Sequence, residues 1–350
     1  PAGAGKQNPP PREGMYWLPE VLISLFLRRR WKMRSSNPSR LLTLFRSRAF
    51  PGLAPCEAAS TEVVHIQPTS KDNFATASFL LHVPRKVRKP RYILVLVPGL
   101  NGDGGWLLRD GQWSGFAEQT GGAIVACTFV KRGQFVHYAA AQHGSGTALE
   151  SAIEQLDTKD SLHSLKDLPV LIYGHSAGGQ FAYGFSCHNP TRMIGFAAVK
   201  GGCYYPEPID ETYRVPGLMI SGRKDLTRRR TAIRGLFELH RAKGASWCWM
   251  EDSSGHDQAN VLYIVIPYFR ELLRLQLRGR QKGFPDRSKL VGIVVDLVDK
   301  RILSERKAFG AQDTNLKQGW LPSKSVFELW SQLDTGMMKY SEQEDLPDKK

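Results

Sequence analysis

Cysteine is scarce in this chain of 350 residues: there are five, at positions 56, 127, 187, 203 and 248, none of them in a C-x-x-C pair. No spacing fits a structural zinc site, and an odd, scattered set does not make a disulfide framework. Cys127 and Cys248 sit inside apolar runs and read as small buried residues. Long apolar stretches are also missing. The run at residues 16–27 stops at Arg28, Arg29 and Arg30 and is too short to span a bilayer comfortably. A second run, at 41–45, precedes Leu53, Ala54, Pro55 and Cys56, but Arg46 and Arg48 interrupt the order that a secretory leader needs. Pro55 also replaces the small residue expected before a lipidated cysteine. The N-terminus therefore offers no clean signal peptide, and a cytoplasmic and an exported destination both stay open. No internal repeat is present.

Acidic residues are the other shortage: 33 Asp and Glu face 48 Lys and Arg, for a net charge of +15. Half of this surplus is local, since residues 1–50 hold ten Lys and Arg against two Glu. A basic tail is more often solvated than specific. Nucleic acid is therefore not the expected partner, and membrane contact through the tail would rest on charge alone.

The rest of the composition is that of a globular protein, with 41% hydrophobic and 23% charged residues. The length suits one large α/β domain with tails, or two ordinary domains. Residues 1–60 are rich in Pro, Arg and Ser with weak periodicity and read as a basic tail. From Thr61 the texture changes. Stretches 61–68 and 74–83 alternate β-branched and aromatic residues around turn residues, which predicts two antiparallel strands. Short, nearly continuous apolar runs follow at 92–97, 123–130, 169–173, 193–199, 217–220 and 246–250, as expected of strands buried on both faces. Between them lie amphipathic stretches at 147–156, 178–187, 231–241 and 261–277. Alternating strands and helices predict a mainly parallel central sheet with helices on both faces. The pattern fades after 283. A further strand at 290–297 and a helix from Ser323 to Trp330 make residues 283–340 an appendage packed on a 61–282 domain, and the polar residues 341–350 read as a disordered tail.

The chemistry centres on Gly174-His175-Ser176-Ala177-Gly178, a G-x-S-x-G pattern. The pattern alone is weak, but here an apolar strand runs into it and a helical stretch leaves it. That context suits a tight strand-to-helix turn that exposes the serine oxygen. A serine hydroxyl needs a base to take its proton. Of nine histidines, His256 has the best position, on a polar loop just beyond a late strand. The third member must orient the imidazole. Asp225 ends the loop after the 217–220 strand and is the candidate, with Asp252 and Asp257 as competitors too near His256 in sequence to reach its far ring nitrogen. Asp225 as a simple helix cap is the alternative. The order Ser176, Asp225, His256 is that of the strand–elbow–helix architecture.

A developing oxyanion needs two preorganised N–H donors. One is expected from Ala177. The other is expected from the glycine-rich loop 98–105, with Leu100 the first choice and Asn101 the next. That loop has neither the G-x-G-x-x-G order nor the lysine spacing of a phosphate loop.

These motifs (the PGLNGDGG loop, the GHSAGG elbow, the GRKD strand end and the SSGHD loop) resemble the α/β-hydrolase superfamily over about residues 61–280. The chain looks most similar to compact esterases related to polyhydroxybutyrate depolymerases, feruloyl esterases and dienelactone hydrolases. It departs from many of them in having Pro98-Gly99 where they have His-Gly. The resemblance implies a serine esterase acting through an acyl-enzyme on a small-molecule or polymer-linked ester, with neither metal nor organic cofactor. A thioesterase, a peptidase or a non-catalytic binding protein on the same scaffold are the alternatives. Only 17 residues separate the 193–199 and 217–220 runs, which leaves no room for a large cap domain. Tyr204 and Tyr205 are expected on one side of an open site and Trp106 on the other, as substrate contacts; simple packing is the alternative for both tyrosines.

Overall fold

The computed structural model describes residues 58–334, apart from 110, 134–136, 160–163, 205–212, 259–260, 278–283, 286, 288–289 and 308–313. The basic tail up to residue 57, the leader-like segment with its membrane and nucleic-acid readings, and the polar C-terminal residues lie outside the described residues, as does Tyr205.

The two opening strands, β1 (Ala58–Ile66) and β2 (Phe74–Pro84), pair antiparallel, and β2 pairs antiparallel with β4 (Gly122–Lys131). Burial along β2 largely alternates, as expected of a strand whose two faces differ. The remaining strands are β3 (Tyr92–Val97), β5 (Val170–His175), β6 (Met193–Val199), β7 (Gly217–Gly222) and β8 (Trp247–Asp252). They run parallel to their neighbours, and the eight strands follow the order β1-β2-β4-β3-β5-β6-β7-β8. Strands β3, β6 and β7 are buried at every residue. That burial explains their apolar runs, since helices cover both faces of a parallel sheet. The architecture is the α/β-hydrolase fold.

Among the described residues six helices accompany the sheet: α1 (Gln112–Thr120), α2 (Ser145–Lys159), α3 (Ala177–His188), α4 (Thr227–Arg241), α5 (Leu262–Leu277) and α6 (Lys324–Asp334). α1, α5 and α6 adjoin in one layer, α2 and α3 adjoin in another, and α4 packs on β7 and β8. The sequence pattern misses α1 for a physical reason. Its buried residues Trp113, Ser114, Gly115, Phe116 and Ala117 are consecutive, so no 3.6-residue period emerges.

Beyond α5, β9 (Gly292–Asp296) is the centre of a small antiparallel sheet between β10 (Ile302–Lys307) and β11 (Gln318–Leu321). β10 and β11 are not legible in sequence; β11 has four residues and β10 pairs with register shifts. This segment is fastened beside β8. Trp330 Nε1 donates to the Trp249 carbonyl at 3.2 Å, and the buried Arg241 Nε donates to the Gln318 carbonyl at 3.1 Å. Ser323 precedes α6, and its Oγ accepts from Val326 N at 3.4 Å, a long contact for a cap.

For function, the decisive feature is direction. β3, β5, β7 and β8 are parallel, so their C-terminal ends reach one edge of the sheet, where ligands of open α/β sheets bind.

Candidate active site

β5 ends at His175 and α3 begins at Ala177, so Ser176 alone makes the turn. It does so with φ 56° and ψ −118°, a conformation in which an L-residue is strained. Ser176 N donates to the Val199 carbonyl at 2.8 Å, which ties the turn to β6. The glycines around it are steric necessities. A Cβ on Gly174 would lie 1.8 Å from the Gly178 carbonyl oxygen, and one on Gly178 would lie 2.0 Å from that of Val97. Gly174→Ala is therefore expected to destabilise the fold by about 3 kcal/mol, because backbone rather than a side chain would have to move. Urea denaturation checks this; a midpoint equal to the parent's contradicts it.

The three side chains singled out in the sequence meet at this edge. His256 Nε2 lies 2.9 Å from Ser176 Oγ, and His256 Nδ1 lies 2.7 Å from Asp225 Oδ2. Burial alone would push the Asp225 carboxyl up. Hydrogen bonds from His256, from Arg229 Nη1 (3.0 Å) and from the Leu226 N–H (2.7 Å) outweigh it and hold the group below the usual carboxylate range. Asp225 is thus ionised at neutral pH and can only accept. Nδ1 of His256 must then carry a proton, so that in the neutral imidazole Nε2 is the nitrogen whose lone pair faces the Ser176 hydroxyl. Asp225 also contacts the start of α4, through Leu226 N and Arg229, although the N-cap position itself is Leu226.

Of the rival acids, the Asp252 carboxylate is engaged by Lys200, and His256 Nδ1 is already met by Asp225. Asp252 Oδ2 accepts from Lys200 Nζ at 2.8 Å, and Asp257 offers its backbone carbonyl to the same ammonium.

The 98–105 loop passes over the serine, and a Cβ on Gly99 would lie 3.5 Å from Ser176 Cβ. Asn101, in a left-handed conformation (φ 55°), spends its N–H on Tyr138 Oη at 3.3 Å. Its side chain accepts from Lys131 N at 3.0 Å. Through these contacts Asn101 ties the loop to Tyr138 and to β4, whereas its neighbour Leu100 is the freer of the two candidate donors. The Leu100 N–H meets no acceptor among the described residues. Ala177 supplies one of the unpaired N–H groups of the first turn of α3. Trp106, on the short 3₁₀ turn Gly104–Leu108, is 64% exposed, with the Arg109 guanidinium 4.6 Å from its ring centre.

Tyr204 follows the turn after β6. Its ring packs edge-on against Tyr183 at 5.7 Å, its hydroxyl is buried, and burial raises its pKa. The residue as a whole is half-buried, with its hydroxyl end packed against Gly201.

Two further residues, to which the sequence assigns no part in the triad, lie close to His256. His175 Nε2 donates to the His256 carbonyl at 2.9 Å. Lys200, the lone cation ending an apolar strand, is fully buried among groups of the His256 loop. Burial pushes His175 down to about 4, against the smaller upward effect of the His256 carbonyl. Its ordinary value is about 6.5, so between that pH and 4 the unfolded chain binds a proton that the folded chain refuses. Stability falls as pH falls through this window. His175→Gln keeps a donor and removes the titration. The slope of Tm against pH between 6.5 and 4 should flatten, and an unchanged slope contradicts the reading. His240 is also neutral, pushed by burial to about 3 where it stacks on Trp247, away from the relay.

Neither a family model nor a curated protein matches the chain. Solved structures similar to it include a ferulic acid esterase at 15% identity, covering 61% of this chain and 98% of that one, with a TM-score of 0.46. An S-formylglutathione hydrolase from Agrobacterium tumefaciens matches at 15% identity over 61% of this chain and 98% of its own, with a TM-score of 0.45. A poly(3-hydroxybutyrate) depolymerase from Bordetella parapertussis matches at 16% identity over 66% and 92%, with a TM-score of 0.48. Identities this low carry no substrate with them. What the chain has in common with α/β-hydrolase-type esterases is the fold, already evident in its strand order.

Proposed function

We propose that this chain is a serine hydrolase that cleaves a carboxylic ester through an acyl-enzyme. The observation that carries the reading is the unbroken hydrogen-bonded run Ser176–His256–Asp225, with steps of 2.9 and 2.7 Å, assembled from the ends of three strands. Ser176 Oγ attacks the ester carbonyl carbon as its proton passes to His256 Nε2. The carbonyl oxygen becomes an oxyanion that accepts from the N–H groups of Ala177 and Leu100. Collapse breaks the bond to the alkoxy group, which leaves with the proton from Nε2. Water then attacks the acyl carbon, His256 takes and returns its proton, and the acid departs. Asp225 stabilises the imidazolium formed in each half. This chemistry requires neither metal nor organic cofactor.

Further support comes from the helix N-terminus behind Ala177, which favours the negative charge that develops there. Leu100, Trp106 and Leu226 are 46%, 64% and 51% exposed, on the loops that also carry the oxyanion donor and Asp225. Apolar side chains held out to solvent at these places suit the uncharged part of an ester.

The test is transient kinetics with p-nitrophenyl acetate and butyrate, beside acyl-CoA thioesters and aminoacyl amides. The reading expects a burst of p-nitrophenolate equal to the enzyme concentration, with esters preferred. Preferential turnover of thioesters or amides would move the chain to another hydrolase class. No burst and no turnover would leave a binding protein.

A further inference from the structure

Lys200 breaks two rules at once. Its backbone sits at φ 52°, in the left-handed region that favours glycine, although two glycines follow it. Its ammonium is also fully buried, where a charge is costly unless it is paired. Nothing in the proposed ester chemistry uses it.

Its partners explain both costs. All three ammonium protons have acceptors: Asp252 Oδ2 at 2.8 Å, Ser254 Oγ at 2.5 Å and the Asp257 carbonyl at 2.5 Å. Asp252 Oδ1 in turn accepts from Ser254 N and Ser254 Oγ. These groups bracket His256 on both sides. One residue earlier, the Val199 carbonyl accepts from Ser176 N. The single turn after β6 therefore grips the nucleophile by its backbone and the base by its loop. Glycine at 200 would relax the backbone but remove these three side-chain contacts, leaving the loop the bonds that its backbone carbonyls make to His175, Arg223 and Lys224.

We propose that Lys200 is a positioning residue: its buried ammonium fastens loop 252–257 at three points and so fixes the reach of His256 Nε2 to Ser176 Oγ. The effect on turnover rests on the serine-hydrolase reading; the effect on the loop does not. The distance from Nε2 to Oγ governs proton transfer, and small displacements of such a group reduce rate far more than they reduce binding. Replacing Lys200 alone would strand the Asp252 carboxylate. The informative protein is thus the full chain carrying Lys200→Met with Asp252→Asn, which removes both charges together.

In that double variant, kcat for p-nitrophenyl butyrate should fall at least tenfold with KM within twofold of the parent. Amide hydrogen exchange over residues 253–258 should accelerate at least tenfold, while exchange in β3, β5 and β6 stays as in the parent. Unchanged exchange in the loop overturns the proposal, whatever turnover does. So does faster exchange throughout the sheet, because Lys200 would then be holding the fold rather than the loop. Failure of the serine-hydrolase reading would be seen separately, as a parent protein without turnover, and the exchange comparison would still report on the fastening.

Discussion

Ser176→Ala is expected to lower kcat for p-nitrophenyl esters by roughly 10⁴-fold or more, while Tm stays within a few degrees of the parent. The two halves of this expectation have different causes. Turnover collapses because the atom that bonds to the acyl carbon is gone, and water in its place lacks the fixed approach that the elbow provides. Stability hardly changes because alanine occupies the same strained φ of 56° and buries no more than serine does. The hydrogen bond lost is the one to His256 Nε2, on a side chain that is 30% exposed and can be solvated instead. Full activity in a folded Ser176→Ala protein contradicts the assignment. A large fall in Tm would mean that the hydroxyl is structural.

Asp225→Asn is expected to lower kcat by about 10³- to 10⁴-fold at neutral pH. The carboxylate accepts from three donors at once: His256 Nδ1, Arg229 Nη1 and Leu226 N. An amide has one oxygen, so its NH₂ must face at least one of those donors. If it faces His256, the imidazole takes the other tautomer, with its proton on Nε2 and no lone pair for the serine. If it faces Arg229 or Leu226, the start of α4 loses a contact. The same substitution predicts a stability signature. Asp225 titrates below its ordinary value of about 3.9. Its ionised contribution is therefore complete above that pH and is lost as pH falls through the depressed folded value. The Tm gap between parent and Asp225→Asn should be widest near neutrality and close in acid. A gap independent of pH contradicts the charge argument.

The parts of this molecule that are legible in its sequence are those in which local pattern and tertiary burial say the same thing. Strands β3, β6 and β7 read clearly because both faces are covered, which forces unbroken apolar runs. The proximity of Ser176, Asp225 and His256 follows from that reading. They come after β5, β7 and β8 respectively, and parallel strands deliver their ends to one edge. The segments that escape are those whose contacts are made by distant partners. α1 buries five consecutive residues, because its surroundings rather than its period decide its burial. The donor capacity of Asn101 is spent on Tyr138, and the direction of Tyr204 is set by Tyr183; neither is written in local spacing. Lys200 stands between these cases. A single cation at the end of an apolar strand is conspicuous, but its three acceptors lie more than fifty residues away.

The central claim is that Ser176 is a nucleophile made reactive by His256. Incubating the full-length protein with a fluorophosphonate probe and locating the adduct by peptide mass spectrometry tests this most directly. The account predicts one adduct per chain, on Ser176, forming at least a hundredfold more slowly in His256→Ala. An unmodified Ser176, or an adduct that forms equally fast without the imidazole, contradicts it.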